Sequence, residues 1–557
     1  MKNIYLEMRW KINFLGVVAI AFLSILFFRV LYIQLFKGLD YKKFLKKQII
    51  KTEEMRSLRG SIYDRNGEIL AFSLFRFSYF CFPKKIKNIN EVRDFVTRKL
   101  KVSTADFDAK LKKNSNFFWI IRHDDTEVKK QDFPKGIGVI SEEKRVYPSG
   151  NFASHVLGFT GVDNRGLSGV EYEFDLRLSG ATLKIKNKID ARGRNFSSDK
   201  IFQIEENKSQ NIYLTIDKNI QIIAEKHLEG MMRKSRSEKA TVIIQDIKTG
   251  DILAMANRPD FNGNIEAKNL KNSAITDIYE PGSTVKILIA GAALDAELYS
   301  DIKDEVYCEK GKFKVYDHII EDHDKKFENL SIQDILIYSS NIGMSKIGNK
   351  MGKNLLYKYL QRFGFGNYTG IELPGEAKGL LKKPLYWYDI SSYIVAFGQG
   401  FGITPLQLVI AFSAIANNGL MMEPHIISKF EIDNKIKRVD KRKVRQILKP
   451  AICQDLIEAM KLVVIKGTAP DAQLYGYETA GKTGTAQKFD AKTKTYSKTK
   501  YIASFIGLFP ADVPRFTILV VADSPQGVYW GGNVCGPVYR NIARDLAYYF
   551  RIPQNKL

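Results

Sequence analysis

At 557 residues, 45% hydrophobic and 26% charged, the chain is too long for one ordinary domain and long enough for two or three, at least one with a large core. Lys and Arg total 86 against 61 Asp and Glu, a net charge of +25 spread along the whole length. The densest basic run, Lys435 to Arg445, is broken by Ile436, Val439, Asp440 and Val444; with no RNP, zinc-finger or helix-turn-helix signature beside it, this is a solvated basic face, and nucleic acid is not expected as a partner.

Residues 12–36 are the first predicted element. Ile12 to Phe28 is apolar except for Asn13, Gly16 and Ser24, and Val30 to Phe36 continues the run after Arg29. That approaches the ~20 residues a helix needs to cross a bilayer, with Arg29 able to snorkel to the outer headgroups. Lys2, Arg9 and Lys11 precede it, so the positive-inside rule places residues 1–11 in the cytoplasm and the remainder outside. Ala19-Ile20-Ala21 has the small-x-small look of a cleavage site but sits in mid-run, and a signal peptide's apolar stretch is shorter, ~7–15 residues. The expectation is an uncleaved, single-pass signal anchor.

Residues 38–205 alternate short strand-like runs with turns and charge. Within Arg59 to Ala71 the Asn66-Gly67 pair, flanked by Ile62 and Ile69-Leu70, predicts a tight hairpin. No nucleophile in this stretch is paired with a base, so it reads as a spacer or docking module. From about 206 the texture changes: a strand at Ile212–Ile216, a helix from Lys218 to about Arg233, and a hairpin of Ala240–Ile247 with Asp251–Ala256 around Lys248-Thr249-Gly250. Strands follow at Tyr475–Lys488, Tyr501–Phe509 and Phe516–Ala522, then a last helix from about Pro537 to Phe550. Strands flanking a central helical block predict a mixed α/β domain with an antiparallel sheet over 206–557.

Cys81, Cys308, Cys453 and Cys535 lie far apart with no C-x-x-C pair, neither a disulfide framework nor a zinc spacing. Cys308 with His318 and His323 fits no strong metal pattern. A buried thiol and surface histidines are expected there, and no metal.

The most informative segment runs from Glu280 to Leu294. Pro281-Gly282 ends a loop, and the apolar, small residues from Val285 on predict a buried helix with Ser283 at its first turn and Lys286 on the same face. A serine needs a neighbour to take its proton. A lysine desolvated in an apolar helix, beside a second cation, can be neutral at pH 7 and do so. S-x-x-K recurs at Ser141/Lys144, Ser197/Lys200 and Ser497/Lys500, but in polar stretches with no apolar helix behind them. K-T-G occurs at Lys248 as a plain turn and at Lys482-Thr483-Gly484 inside a strand-like run. Order separates signal from coincidence: Ser283/Lys286 is followed by Ser339-Ser340-Asn341 and then by Lys482-Thr483-Gly484-Thr485. S-x-x-K, an S-D-N type triplet and K-T-G, in that order, mark penicillin-binding proteins and class A β-lactamases; here the middle Asp of the triplet is Ser340.

The chain resembles class B penicillin-binding proteins over nearly its whole length. The resemblance rests on the anchor, Arg59 to Ala71, Arg258 to Asn262, Glu280 to Ser283, Phe397 to Gly400 with Thr404 to Gln407, and Gly481 to Ala486. It implies a β-rich dimerisation or pedestal domain at 38–205 and a transpeptidase domain of the penicillin-binding/serine β-lactamase type at 206–557. His155 to Thr160 running on to Gly166 to Glu171 without a long insertion resembles division-type rather than elongation-type members.

What the resemblance implies is a D-Ala-D-Ala transpeptidase, inhibited by β-lactams and needing no metal or organic cofactor, with peptidoglycan stem peptides as substrate. Ser283 is then the nucleophile, Lys286 the general base, Ser339 a proton relay tuned by Lys482, and Asn341 the holder of the peptide amide. Thr483 and Thr485 bind the terminal carboxylate, the Ser283 and Thr485 amides form the oxyanion hole, and Gly484 lets substrate approach the strand. Implied partners are the cytoplasmic membrane, a membrane glycan polymerase and other division proteins. A carboxypeptidase or β-lactamase would add a water held by a glutamate, which the sequence does not locate. A silent scaffold would not need the intact serine and lysine set.

Overall fold

Charge and hydropathy place a long apolar segment at the start of the chain, and in a computed structural model it is a helix, α1 (Lys2–Tyr32), continued by one π turn at Ile33–Lys37. The structure describes residues 2–38, 40–42, 50–56, 58–114, 116–128, 132–180, 182–188, 201–203, 208–265, 270–322, 326–490 and 495–555. Two units are present, Met1–Ser57 with Gly180–Lys208 and Leu58–Ser179 with Ser209–Leu557. In the first unit, Met8–Lys37 is long and apolar enough to cross a membrane, and Arg29 lies over the Tyr32 ring, 5.8 Å from its centroid. An antiparallel ribbon follows, Ile50–Arg56 against Thr182–Lys188 against Ile201–Gln203.

The larger unit opens with β1 (Ile62–Tyr63), β2 (Ile69–Cys81), β3 (Phe118–Asp124), β4 (Ile137–Val146) and β5 (Asn211–Leu214). Helix α2 (Lys218–Ser235), strands β6 (Lys239–Asp246) and β7 (Ile252–Arg258), and helix α3 (Lys286–Asp295) come next. A small hairpin, β8 (Lys312–Val315) and β9 (His318–Glu321), precedes α4 (Ile332–Tyr338), α5 (Asn341–Arg362) and α6 (Pro405–Ala416). The unit closes with β10 (Ile427–Ile432), β11 (Lys435–Arg438), α7 (Pro450–Lys466), β12 (Ala480–Asp490), β13 (Thr495–Phe509), β14 (Phe516–Asp523) and α8 (Gly531–Phe550).

One sheet runs β7-β6-β14-β13-β12, antiparallel throughout, with β12 at its edge. Both faces are covered, so β6 is buried without alternation from Ala240 to Gln245. Val242 and Ile244 face α2 and α8, in a core with Ile220, Leu228, Ile542 and Leu546. Ile243 and Leu519 face the helical block of α3 and α6. Helix α3 is buried all round from Lys286 to Leu294, so its lysine is carried in apolar surroundings.

The second sheet runs β11-β10-β5-β1-β2-β3, with β4 also paired to β2. The predicted Asn-Gly hairpin joins β1 and β2: Asp64 Oδ1 accepts from the amides of Asn66 and Glu68, 2.8 Å each, and Gly67 takes φ +92°. The Arg59, Arg145 and Glu171 segments meet in a buried ionic cluster. Glu171 accepts from Arg59 Nε and Arg145 Nε, both at 2.7 Å, with both the Arg59 and Glu171 side chains 0% exposed.

Several boundaries differ from expectation, among them the start of β13, at Thr495 rather than Tyr501. Helix α8 begins at Gly531, six residues before Pro537, which sits inside it; the first turn is anchored on the sheet, and that packing outweighs the proline's preference for a helix start. Strand β12 begins at Ala480 rather than Tyr475, because Gly476 (φ +81°) turns the chain first. The Ser141/Lys144 and Ser497/Lys500 pairs lie in strands β4 and β13; Ser197 and Lys200 lie outside the described residues. The four cysteines are buried free thiols and His318 is exposed, while His323 lies outside the described residues.

Candidate active site

Three segments converge on one cleft of about 410 Å³. The first is the turn Gly282–Val285 leading into α3; Gly282 takes φ +55°, Ser283 is half-buried and lines the cleft, and Lys286 begins the helix behind it. The second is the junction of α4 and α5, where Ser339 sits in the left-handed region (φ +59°) between two helices, a conformation a non-glycine residue keeps only under constraint. The third is the edge strand β12 with Lys482, Thr483 and Thr485.

Lys286 is 0% exposed. Its Nζ donates to Ser339 O at 2.6 Å and Asn341 Oδ1 at 2.7 Å, and lies 3.2 Å from Ser339 Oγ. Burial, and then the charge of Lys482, hold it well below the usual lysine range, with Asp322 pulling the other way. Lys482, also 0% exposed, donates to Ser339 Oγ at 3.0 Å, and burial pushes it down to about 7. A neutral amine has two N–H groups and one lone pair. With the carbonyls of Ser339 and Asn341 taking both N–H groups, the Lys286 lone pair is left for a hydroxyl proton.

Asn341 is held at both ends: its Nδ2 donates to Glu321 O at 3.0 Å, so Oδ1 faces Lys286, and its backbone amide donates to Asp322 Oδ1 at 2.6 Å. Asp322 also accepts from Ser340 Oγ at 2.6 Å and Ile342 N at 3.1 Å. Ser340, standing in the triplet's middle, is itself the cap of α5, accepting from Gly343 N at 3.0 Å. The carboxylate the triplet lacks is therefore supplied by Asp322, just after β9, a residue with no recognisable sequence signal.

Thr483 and Thr485 line the same cleft. Thr483 shares a 2.8 Å hydrogen bond with Thr468, and Thr485 Oγ1 accepts from Gly531 N at 3.1 Å. Because β12 is an edge strand, one row of its amides and carbonyls is open to pair with an extended peptide. Gly484 has another reason for being glycine than open access for substrate. A Cβ there would lie 2.4 Å from Ser504 Oγ and 2.9 Å from Thr284 Cγ2, so its bareness seats the strand on the serine's turn. Gly531 does the same for α8, where a Cβ would meet Ser504 O at 2.3 Å and Gly484 O at 2.4 Å. The turn residues Gly400 and Gly402 lie outside the cleft lining.

Residues 240–544 match the penicillin binding protein transpeptidase domain, and residues 54–214 match the penicillin-binding protein dimerisation domain. The chain belongs to the penicillin-binding protein transpeptidase family. It is a class B member, a serine penicillin-binding enzyme with the dimerisation domain ahead of the catalytic one. Stage V sporulation protein D of Bacillus subtilis (strain 168) is 31% identical over 535 residues, 93% of this chain and 82% of that protein. Peptidoglycan D,D-transpeptidase FtsI of Buchnera aphidicola subsp. Schizaphis graminum (strain Sg) is 31% identical over 576 residues, 100% of this chain and 97% of that protein. The fold is shared with penicillin binding protein 3 of Mycobacterium tuberculosis, solved with aztreonam, at TM-score 0.71 and 24% identity, covering 90% of this chain and 98% of that one.

Proposed function

We propose that this peptidoglycan D,D-transpeptidase serves septal wall synthesis, with Ser283 as its acylated residue. The observation that carries the chemistry is the buried Lys286 amine, its pKa held down and both N–H groups engaged, three residues and one turn along the chain from Ser283. Lys286 takes the Ser283 proton as the oxygen attacks the carbonyl between two terminal D-alanines. The tetrahedral oxyanion is held by the amides of Ser283 and Thr485, each donor worth roughly 3 kcal/mol in such sites. Ser339, bridged to both lysines, passes the proton to the departing D-alanine amine. An amine of a second stem then attacks the ester, and Lys286 collects its proton in turn. Asn341 holds the peptide amide, and Thr483 and Thr485 hold the terminal carboxylate in the field of Lys482.

The septal assignment is supported by similarity to an FtsI protein and a sporulation protein over most of the chain, and by the uninterrupted 155–171 stretch. Residues 12–36 form the anchor, with 1–11 cytoplasmic and the pedestal (38–205) and catalytic region (206–557) on the outer face; Lys2, Arg9 and Lys11 support that orientation. A membrane glycan polymerase and division proteins are the partners. Depleting the protein in its host tests the septal role: cells that elongate without septa support it, and cells that lose width control while still dividing assign it to elongation. The hydrolase alternative is tested by release of bound penicillin, slow for a transpeptidase and complete in seconds for a β-lactamase.

A further inference from the structure

Glu280 lies three residues before Ser283, and both partners of its carboxyl belong to other parts of the site. Its Oε1 accepts from Gly400 N at 2.9 Å and from Tyr496 Oη at 3.0 Å, while Oε2 is buried with no hydrogen-bond partner among the described residues. A carboxyl oxygen buried with no donor is costly, and such a group needs a reason for being kept. Burial holds it above the usual carboxylate range, the two hydrogen bonds opposing.

Both partners flank the cleft. Gly400 ends the Phe397–Gly400 loop, which sits directly on the serine's turn. Gly282 N donates to Gly398 O at 3.1 Å, and a Cβ on Gly398 would lie 2.1 Å from Gly282 O. Tyr496 stands near the start of β13, opposite Phe489 of β12 in the ladder and edge-on to its ring at 5.7 Å. It lines a second cleft of about 550 Å³ that shares Thr485 and Trp530 with the first.

We propose that Glu280 is a positioning residue, whose carboxyl clasps the β12–β13 hairpin through Tyr496 and the 397–400 loop through Gly400, setting the gap between Ser283 and the strand edge at Thr485. The inference rests on Ser283 being the acylated residue. A substrate backbone laid along β12 then meets the nucleophile at a fixed offset, and small displacements of that kind are costly to the chemical step. Loss of the clasp slows acylation at saturating label more than it weakens initial binding. Glutamine keeps an oxygen that accepts from both partners, whereas alanine keeps none.

The test is acylation of the full-length protein in detergent by a fluorescent penicillin, with the saturating rate and the half-saturating concentration measured separately. Wild-type adduct is first mapped; its absence from Ser283 defeats the reading of the nucleophile, and the clasp with it. With wild-type adduct on Ser283, Glu280→Ala is expected to lower the saturating rate about tenfold and Tyr496→Phe about threefold or more, from the loss of the hydrogen bonds to the carboxyl. Glu280→Gln restores the rate to within about threefold of wild type, and Tyr496→Phe adds nothing in the Glu280→Ala background. Tyr496→Phe removes one hydroxyl from a part-exposed ring, so its melting temperature stays at the wild-type value and the result stands even if the alanine variant folds poorly. A wild-type saturating rate in Tyr496→Phe, or effects of the two changes that simply add, overturns the proposal.

Discussion

Lys286 and Lys482 reach the same hydroxyl: their Nζ atoms lie 3.2 and 3.0 Å from Ser339 Oγ. Two ammonium groups so close in a dry site cannot both persist, and the pair titrates as a unit. Lys286 has the stronger downward push, because burial is joined by the charge of Lys482. It is therefore the neutral member, free to act as a base.

Lys482→Met tests that coupling from two sides. Lys482 is lowered in the folded chain to about 7 from an ordinary 10.5, so between those values the unfolded chain binds the extra proton and stability rises with pH. The methionine variant is expected to melt above wild type at pH 7, with the gap narrowing toward pH 10. Its acylation falls by about a hundredfold or more. What remains has its acidic limb at higher pH, since Lys286 has lost the cation that depressed it. Calorimetry across pH and label kinetics on the same samples check both.

Asp322→Asn should move the same limb the other way. Asp322 raises the Lys286 pKa, so neutralising it lets Lys286 shed its proton at lower pH. The variant also weakens the cap on α5, at about 1 kcal/mol. A pH profile of acylation displaced to the acid side, with a small fall in melting temperature, is the expected result.

Gly531→Ala is expected to slow acylation although residue 531 carries no side chain to lose. The new Cβ falls within 2.4 Å of two strand carbonyl oxygens, so the start of α8 must move off β12 and take its amide away from Thr485 Oγ1. Overpacking of this kind costs about 1–3 kcal/mol, and the labelling rate should fall with the melting temperature.

Arg145→Ala probes the pedestal. Removing it leaves Glu171 buried with half its charge compensation gone, a loss of about 3–5 kcal/mol in comparable buried pairs. Thermal unfolding should show that loss, while folded protein still acylates at the wild-type rate.

Much of the candidate site is legible in the chain because its parts are local: Ser283 and Lys286 share one turn, and Lys482 to Thr485 share one strand. The buried helix announced itself by an apolar stretch with small residues, and the Asn66-Gly67 turn by backbone requirements alone. What escaped was set by contacts distant in sequence. Asp322 substitutes for the triplet's absent carboxylate from the end of a small hairpin, and Glu280 meets Tyr496 across 216 positions. A packing role for Gly484 is hidden for the same reason, since only the folded turn reveals what its Cβ would strike.

Peptide mapping of penicillin-treated, full-length protein by mass spectrometry tests the central claim most directly. One drug equivalent on the peptide containing Ser283, lost entirely in Ser283→Ala, is the predicted result. A folded protein that takes up no drug mass, or carries it on any other residue, contradicts the account.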